Sequence, residues 1–267
     1  MHNNLKQISP NKDQAVWITG ASKGIGRALA LEFARQGYIV AVSARNEEEL
    51  KALCQETQPL AGKCLAFPLD VTDQQACKRV FNQITVVMGS VGQVVLNAGT
   101  HIPTPADDFR SQDIKNLLDL NVLGVCYCLE EVLSYMLDKQ QGQIAVVASL
   151  AGYRGLPDSA GYGASKAALI NLCEALRLDL DGSGIKLQVV NPGFVKTPLT
   201  DKNKFPMPFL VTAEAAANYI IKGMSKNKFE IRFPWLFANL MGLLRVSPYR
   251  CYFPLVAKGT AKKVNKK

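Results

Sequence analysis

Histidine is scarce in this chain, and its cysteines show no spacing that indicates a shared site. The two histidines are His2 and His101, and the closest of the seven cysteines, Cys126 and Cys128, do not form a CxxC pair. We therefore expect no metal site made of histidines and cysteines. An odd number of scattered cysteines indicates reduced thiols in a cytosolic protein and argues against a disulfide framework.

The chain also lacks long apolar segments. Residues 1–13 are polar and contain no apolar core of the kind found in a signal peptide, so we expect a flexible arm there. No apolar run reaches the roughly 18 residues that a membrane-spanning helix needs. With 48% hydrophobic and 20% charged residues, the composition is that of a globular protein.

Acidic residues are in the minority, and the formal net charge is +9. Such a balance suits a nucleic acid, a membrane surface or an anionic cofactor as the partner. Five lysines lie within the last ten residues, so much of the excess belongs to a tail, which a solvated and disordered segment would explain. We expect no nucleic-acid partner.

Short apolar runs alternate along the chain with segments of helical periodicity, a pattern typical of βαβ units and a parallel sheet. Most of these runs are apolar at successive residues, as strands covered on both faces are. We predict one α/β domain over residues 1–267, with a doubly wound, mostly parallel seven-stranded sheet in a Rossmann-type three-layer sandwich. The predicted strands are 15–20, 38–44, 64–70, 93–99, 143–149, 185–191 and 229–233, and a long helix is predicted over 112–139.

The turn after the first predicted strand reads TGASKGIGR and carries Gly20, Gly24 and Gly26. Glycines at such a turn let the backbone approach a pyrophosphate, whose charge meets free N–H groups at the start of the next helix. The spacing is TGxxxGxG rather than GxGxxG. Its place between a strand and a helix favours a phosphate site over the alternative of a flexible connector.

The end of the second predicted strand bears on the choice of cofactor. A carboxylate there favours NAD, whereas a basic residue suits the 2′-phosphate of NADP. This chain has Ala44 and Arg45, with no carboxylate before Glu47, and Lys23 adds a second positive charge within the glycine turn. We therefore expect NADP(H). The alternative is that Lys23 and Arg45 are only exposed surface charges.

Two tyrosine–lysine pairs share the spacing YxxxK, which places both side chains on one face of a helix. Tyr135 and Lys139 lie in the last turns of the long helix, where a lysine suits the negative helix end. Tyr162 and Lys166 follow the fifth predicted strand, at the edge where ligands bind in such sheets. Ser149 stands at that strand end, 13 residues before Tyr162. These surroundings favour Tyr162 and Lys166 as the pair with a catalytic role.

Taken together, these motifs resemble the short-chain dehydrogenase/reductase family. TGASKGIG, LNAG at 96–99, Ser149 with YGASK, and NPG at 191–193 followed by Thr197 occur in that family's order. Asn121, in LDLNVLG, matches an asparagine that the family pattern places in the helix after the fourth strand. The resemblance spans roughly three-quarters of the chain.

The resemblance implies a catalytic set of Asn121, Ser149, Tyr162 and Lys166. A carbonyl that accepts a hydride needs a proton, and a free tyrosine has a pKa near 10. An adjacent ammonium group and an oxidised nicotinamide favour phenolate, so we expect Tyr162 to be the acid in reduction and the base in oxidation. Lys166 would tune Tyr162 and hold the nicotinamide ribose, Ser149 would bind the substrate oxygen, and Asn121 would hold a relay water. The alternative is an exposed helix pair.

The resemblance also implies a set of cofactor contacts. Asn97 matches a motif that supports the sheet and lines the ribose, and a purely structural role is its alternative. His101 lies after LNAG, where it either faces the substrate or is simply solvated. The implied cofactor contacts are Gly20, Ser22, Lys23, Gly24, Ile25, Gly26, Arg45, Asp70, Val71, Asn97, Ala98, Gly99, Tyr162, Lys166, Pro192, Gly193 and Thr197.

The chain departs from many bacterial relatives at its C-terminus, where an apolar extension with a basic tail occupies 234–267. It could cap the cleft, form a subunit contact, or lie on a membrane with its basic residues toward anionic lipid. With the apolar lid candidate 198–212, it suggests a hydrophobic alcohol or ketone as the substrate. The rival functions are a lipid or ketoacyl reductase at a membrane surface and a non-catalytic NADPH-binding regulator.

Two expectations on assembly and location rest on the same resemblance. Relatives often pair through the long helices after the fourth and fifth strands, which implies a homodimer or homotetramer. We expect a cytoplasmic protein, with a peripheral position on the inner face of a membrane as the alternative.

Overall fold

A computed structural model describes residues 14–201 and 207–260. The flexible arm predicted for 1–13, the tail beyond 260 and residues 202–206 of the lid candidate lie outside the described residues. All seven strands form one parallel sheet in the order β3-β2-β1-β4-β5-β6-β7, which confirms the predicted doubly wound α/β architecture. The strands are β1 Ala15–Thr19, β2 Ile39–Ser43, β3 Lys63–Ala66, β4 Val91–Leu96, β5 Gly142–Val147, β6 Ile185–Pro192 and β7 Glu230–Phe233.

Helices cover both faces of the sheet and enclose two apolar cores. Successive residues of β1 point to opposite faces, so Trp17 joins one core while Val16 and Ile18 join the other. Helices α1, α2 and α7 contribute to the core of Val16, and α3, α5, α6 and α8 contribute to that of Trp17. The helices are α1 Gly24–Arg35, α2 Glu47–Glu56, α3 Gln74–Met88, α4 Ser111–Leu118, α5 Gly124–Lys139, α6 Ala160–Asp179, α7 Ala213–Met224, α8 Trp235–Val246 and α9 Tyr249–Thr260.

Three predicted strands are too long at their carboxyl ends by two or more residues. The strand predicted over 64–70 ends at Ala66, the last residue paired with β2, although Phe67 N and Leu69 N still donate to Val42 O at 2.9 Å and to Ala44 O at 3.0 Å. The strand predicted over 93–99 ends at Leu96, because the amides of Asn97 and Ala98 donate to the Thr19 side chain instead of a neighbouring strand. The strand predicted over 143–149 ends at Val147.

The predicted long helix over 112–139 is present but not uniform. A five-residue π-helical segment, Asp119–Leu123, joins α4 to α5 and has Asn121, fully buried, at its centre. By length and composition alone, the helical stretch Ser111–Lys139 could cross a membrane. The uninterrupted apolar runs of the sequence are too short to indicate this property. The buried residues of the stretch, however, belong to the core that α5 shares with α3 and the sheet, as in the core helix of a globular fold.

Gly26 tests how tightly the first turn is packed. A Cβ atom at this position would lie 2.3 Å from the Gly20 carbonyl oxygen and 2.6 Å from Asn97 Nδ2. Gly26→Ala should therefore lower the free energy of unfolding in urea by about 1–3 kcal/mol, although alanine favours the helix. Gly155→Ala is the control, because its Cβ would meet nothing within 4 Å. Equal stability of the two variants would contradict the tight packing.

Candidate active site

The sequence-predicted catalytic residues meet in one cleft at the carboxyl edge of the sheet. Ser149 follows β5, and Tyr162 and Lys166 lie on the first two turns of α6, so all three line the cleft. The ends of β4 and β6 supply its other walls, including Asn97 and Gly193. This is the edge at which open parallel sheets bind ligands.

Lys166 is the buried cation of this cleft. Only 4% of its surface is exposed, and its Nζ donates a 2.9 Å hydrogen bond to the carbonyl oxygen of Val147, the last residue of β5. Burial disfavours the charged amine and lowers the pKa of Lys166 to about 8. The Nζ atom lies 5.8 Å from the centroid of the Tyr162 ring.

Tyr162 is half-buried, and its phenol is held in the protonated state. Burial raises the pKa of Tyr162, and a hydrogen bond with the Ser149 side chain acts in the opposite direction. The expectation that Lys166 and an oxidised nicotinamide together lower this pKa concerns the cofactor-bound state and stays a prediction; without the cofactor, burial has the larger effect on the phenol. His101 packs edge-on against Tyr162 with 5.0 Å between ring centroids, so it lies against the reactive ring rather than in open solvent.

The π-helical segment orients Asn121 beneath the cleft. Asn121 Oδ1 accepts a 2.8 Å hydrogen bond from Thr100 N, and its Nδ2 donates to Thr100 O at 3.0 Å and to Ser165 Oγ at 3.0 Å. A Cβ atom on Gly99 would lie 3.1 Å from Asn121 Oδ1 and 3.5 Å from Lys166 Nζ. Asn121 and Lys166 therefore flank the same glycine, and an insertion of π geometry in a helix is often found at functional sites.

The second YxxxK pair lies at the other end of the sheet. The hydroxyl of Tyr135 accepts a 3.3 Å hydrogen bond from Val91 N, at the amino end of β4, and its ring meets Phe81 edge-on. Lys139 lies 6.0 Å from the Tyr135 ring centroid, in the last turn of α5. The surroundings of this pair are those of a packing tyrosine at a helix end.

Among the residues that the structure describes, no side chain caps the N–H groups at the start of α1, which follows the glycine turn after β1. Gly20 and Gly24 adopt φ values of 65° and 56°, which side chains rarely tolerate. Lys23, at the N-cap of α1, makes no side-chain capping bond, and the first turn contains no acidic residue. Asn97 Nδ2 donates to the carbonyl oxygens of Thr19 and Gly20, both at 3.1 Å. Asn97 therefore has the structural role that the sequence left open.

The two basic residues expected at the cofactor end have different surroundings. Lys23 Nζ lies 2.7 Å from Glu49 Oε1, and this contact lowers the pKa of Glu49. Within residues 14–201 and 207–260, Arg45 is exposed and no carboxylate forms an ion pair with it. Asp70 Oδ1 accepts hydrogen bonds from the amide and hydroxyl of Thr72, and Asp70 is not among the residues that line the cleft.

The predicted contacts at the nicotinamide end surround the mouth of the cleft. Gly193, after β6, donates its amide to Phe233 O at 2.7 Å, and a Cβ atom there would lie 2.8 Å from the Phe237 ring. Thr197 approaches the glycine turn, because a Cβ atom on Gly24 would lie 3.0 Å from its Cγ2. The cleft residues from the predicted cofactor set are Ile25, Asn97, Gly99, Tyr162, Lys166, Pro192, Gly193 and Thr197.

Four residues near the site were not predicted from the sequence. Ser165 accepts from Asn121 and donates to Tyr162 O at 2.8 Å, a link hidden inside the YGASK motif. Glu49 forms an ion pair with Lys23. The backbone of Thr100 holds the side chain of Asn121, and a backbone contact of this kind leaves no signal in the sequence. Arg154 lies over the rings of Tyr249 and Tyr252, nearly one hundred positions away in the chain.

Lys166→Met tests the burial of the lysine through stability. The native state disfavours the charged amine, whereas the unfolded chain keeps its pKa of 10.5. The variant should therefore raise the free energy of unfolding at neutral pH by about 1–3 kcal/mol. The gain should shrink as pH rises from about 8 towards 10.5, because the unfolded wild-type chain then loses its proton as well. Urea denaturation across this range measures it, and a variant less stable than wild type throughout would contradict the assignment.

The comparisons with known proteins agree with this arrangement. A sequence model described as short chain dehydrogenase matches residues 14–206. An oxidoreductase of uncharacterised substrate from Myxococcus xanthus is 38% identical over 231 residues, which are 86% of this chain and 91% of the relative. The 3-oxoacyl-[acyl-carrier-protein] reductase FabG of Thermotoga maritima is 34% identical over 185 residues, 69% of this chain and 75% of the relative.

Solved structures share the fold as well. The structure of ElxO with NADP bound has a TM-score of 0.74 and 27% identity, and the alignment covers 84% of this chain and 99% of that one. A short-chain dehydrogenase from Burkholderia phymatum in complex with NAD has a TM-score of 0.79 at 21% identity, over 86% of this chain and 92% of that one. By the family match and the Myxococcus relative, the chain belongs to the short-chain dehydrogenase/reductase family of oxidoreductases.

Proposed function

We propose that this chain is an NADP(H)-dependent carbonyl reductase, or an alcohol dehydrogenase in the reverse direction, with Tyr162 as the acid and base. The observation that carries the proposal is the meeting of Tyr162, Ser149 and the buried Lys166 in one cleft beside an uncapped glycine turn. The bound nicotinamide would supply or accept the hydride. Relatives named as a reductase and as a glucose dehydrogenase support this class of reaction.

The protonation states in the cleft suit a reductase. Because burial raises the pKa of Tyr162, its phenol carries the proton that a carbonyl oxygen needs as negative charge develops on it. The Ser149 hydroxyl would donate a second hydrogen bond to the same oxygen. With a pKa of about 8, Lys166 is mostly protonated at neutral pH, where it would stabilise the phenolate left behind and bind the nicotinamide ribose. Asn121 would hold a relay water near Lys166.

The glycine turn and its neighbours fit a dinucleotide with a 2′-phosphate. The free N–H groups at the start of α1 suit the pyrophosphate, and the exposed guanidinium of Arg45 suits the additional phosphate. To bind this phosphate, Lys23 would have to leave Glu49 or share its positive charge between Glu49 and the phosphate. Glu49 therefore opposes NADP(H) binding. The NADP-bound ElxO structure supports the same cofactor type.

An apolar substrate is supported by the aromatic side chains at the mouth of the cleft. Phe237 of α8 stacks on Phe194 at 5.4 Å and on Phe209 at 6.1 Å between ring centroids, next to the Gly193–Thr197 segment. The C-terminal extension would thereby cap the nicotinamide end. A lipid or ketoacyl reductase at a membrane surface is the second candidate, supported by relatives named as a 3-oxoacyl-[acyl-carrier-protein] reductase and a ketoacyl reductase.

We also propose a cytoplasmic homodimer or homotetramer that pairs through the long helices after β4 and β5, of which the second is α6. An apolar groove on α4 and the π-helical segment Asp119–Leu123 supports this pairing, since such grooves mark contact surfaces. Exposed side chains at its edge include Phe109, Leu118 and Leu123.

Cofactor preference can be tested without a known substrate. NADPH should raise the melting temperature more than NADH does. Arg45→Glu should reduce the NADPH shift, because a carboxylate repels the 2′-phosphate, and Glu49→Gln should increase it, because Lys23 is released. Arg79→Glu is the control, since it makes the same charge change on α3. Equal shifts for the two cofactors would overturn the NADP assignment.

Turnover tests the role of Tyr162. Tyr162→Phe should keep its NADPH-induced thermal shift but lose about 10²–10⁴-fold in the rate of NADPH consumption, because the proton donor is gone. A panel of ketones and aldehydes that includes long-chain members provides the substrates. Tyr135→Phe, which removes only the contact with Val91 N, should stay close to wild type.

Two outcomes of the same assay separate the candidates. Full activity in Tyr162→Phe would refute the acid/base role. A wild-type protein that binds NADPH and reduces no member of the panel would instead favour the non-catalytic NADPH-binding regulator.

A further inference from the structure

The C-terminal helices α8 and α9 lie beyond the residues that the family model matches, and they expose an apolar face. Trp235 is 72% exposed and Val246 is 76% exposed, although both are large apolar residues. Along α8 the exposed residues recur at helical spacing on one side, opposite to the buried Ala238 and Met241. We call the exposed apolar residues of both helices the outer face, and they are Trp235, Leu236, Leu240, Leu243, Val246, Tyr249, Phe253 and Leu255.

The outer face is held in place by the loop that separates the two catalytic residues Ser149 and Tyr162. Within this loop, Arg154 Nη1 donates to three carbonyl oxygens at the end of α8, at 2.9 to 3.4 Å. The Arg154 guanidinium lies 4.9 Å from the ring centroid of Tyr249 and 4.2 Å from that of Tyr252. The Tyr252 hydroxyl donates to the Gly155 carbonyl. The two helices are therefore fixed to the body of the protein, and the apolar side chains point outward from an anchored surface.

The charge of this region has one sign. Residues 231–267 contain eight lysines and arginines and no aspartate or glutamate, so the other 230 residues have a net charge of only +1. Among the described residues, Arg245 pairs with Glu174 and Arg232 approaches Glu230, whereas Arg250 and Lys258 form no ion pair there. A lipid surface with anionic headgroups attracts basic residues beside an apolar helix face. A second copy of the chain would bring two such basic segments together and be repelled.

We propose that α8 and α9 dock on the surface of an anionic lipid bilayer, with the outer face in the headgroup region and the basic residues against the lipid phosphates. A helix of 12 residues is about 18 Å long, which is too short to span the roughly 30 Å hydrocarbon core, so the helices lie on the membrane. Phe237 on the inner side of α8 stacks on Phe194 at the mouth of the cleft, so the docked protein holds this mouth beside the lipid. The docking itself does not depend on the proposed reaction.

Tryptophan fluorescence reports this docking directly. The chain has two tryptophans, and Trp17 is fully buried, so a change in exposure falls on Trp235. Vesicles of phosphatidylcholine mixed with phosphatidylglycerol should shift the emission of the full chain to shorter wavelength, and Trp235→Phe should abolish the shift. Phosphatidylcholine vesicles alone should have a much weaker effect, and added salt should reverse binding to the mixed vesicles.

Co-sedimentation with the same vesicles tests which residues bind. Leu243→Glu should lower the apparent affinity about tenfold or more, because a leucine that is buried on docking contributes about 1.5–3 kcal/mol. Val86→Glu is the matched control, since it replaces another exposed apolar residue by glutamate on the distant helix α3. Leu236→Glu is a second outer-face variant, and an unchanged thermal shift with NADPH shows that each variant is folded.

Three results would overturn the docking proposal. In the first, the full chain shows no binding to the mixed vesicles at low salt. In the second, Val86→Glu loses as much binding as Leu243→Glu. In the third result, the wild type sediments as a dimer without binding vesicles and Leu243→Glu is a monomer, which assigns the outer face to a second copy of the chain. Loss of NADPH consumption in Tyr162→Phe bears on the reaction alone and leaves each of these outcomes readable.

Discussion

The candidate site depends on a buried ammonium group at the end of a β-strand. Lys166 extends from α6 to the last carbonyl oxygen of β5, and its charged form is disfavoured by burial. The neighbouring residues keep this costly position in place: Asn121 is fixed by Thr100 and Ser165, and Gly99 has no side chain that could fill the space between Asn121 and Lys166. Because burial disfavours its charged form, Lys166 lowers the stability of the fold, which is a common feature of functional sites.

Much of the fold followed from the sequence because parallel strands that are covered on both faces read as short apolar runs between helical patterns. The strand ends were predicted too long, since hydrophobicity continues where the hydrogen-bond ladder stops, as at Leu96, after which Thr19 takes the amides. The choice of Tyr162 over Tyr135 was possible because a serine at a strand end lay near only one of them. The position of Tyr135 at the amino end of β4 agrees with that choice.

Other features of the site could not be read from the sequence because they depend on three-dimensional contacts. The π geometry around Asn121 leaves no periodic signal in a five-residue segment. The ion pair of Lys23 with Glu49 joins the glycine turn to the start of α2. The hydrogen bonds of Arg154 join residues about 90 positions apart in the chain. The protonation state of the phenol could not be read from the sequence either, because the pKa of Tyr162 in the cofactor-free protein is raised mainly by its burial.

The proposed acid/base role requires that the phenol of Tyr162 is protonated in the free protein and becomes a stronger acid when a positively charged nicotinamide lies beside it. The difference in ultraviolet absorbance between wild type and Tyr162→Phe, followed as pH is raised, measures the pKa of this phenol. The account predicts a pKa above 10 in the free protein and a lower value when NADP⁺ is bound. The same pKa in both states would contradict it.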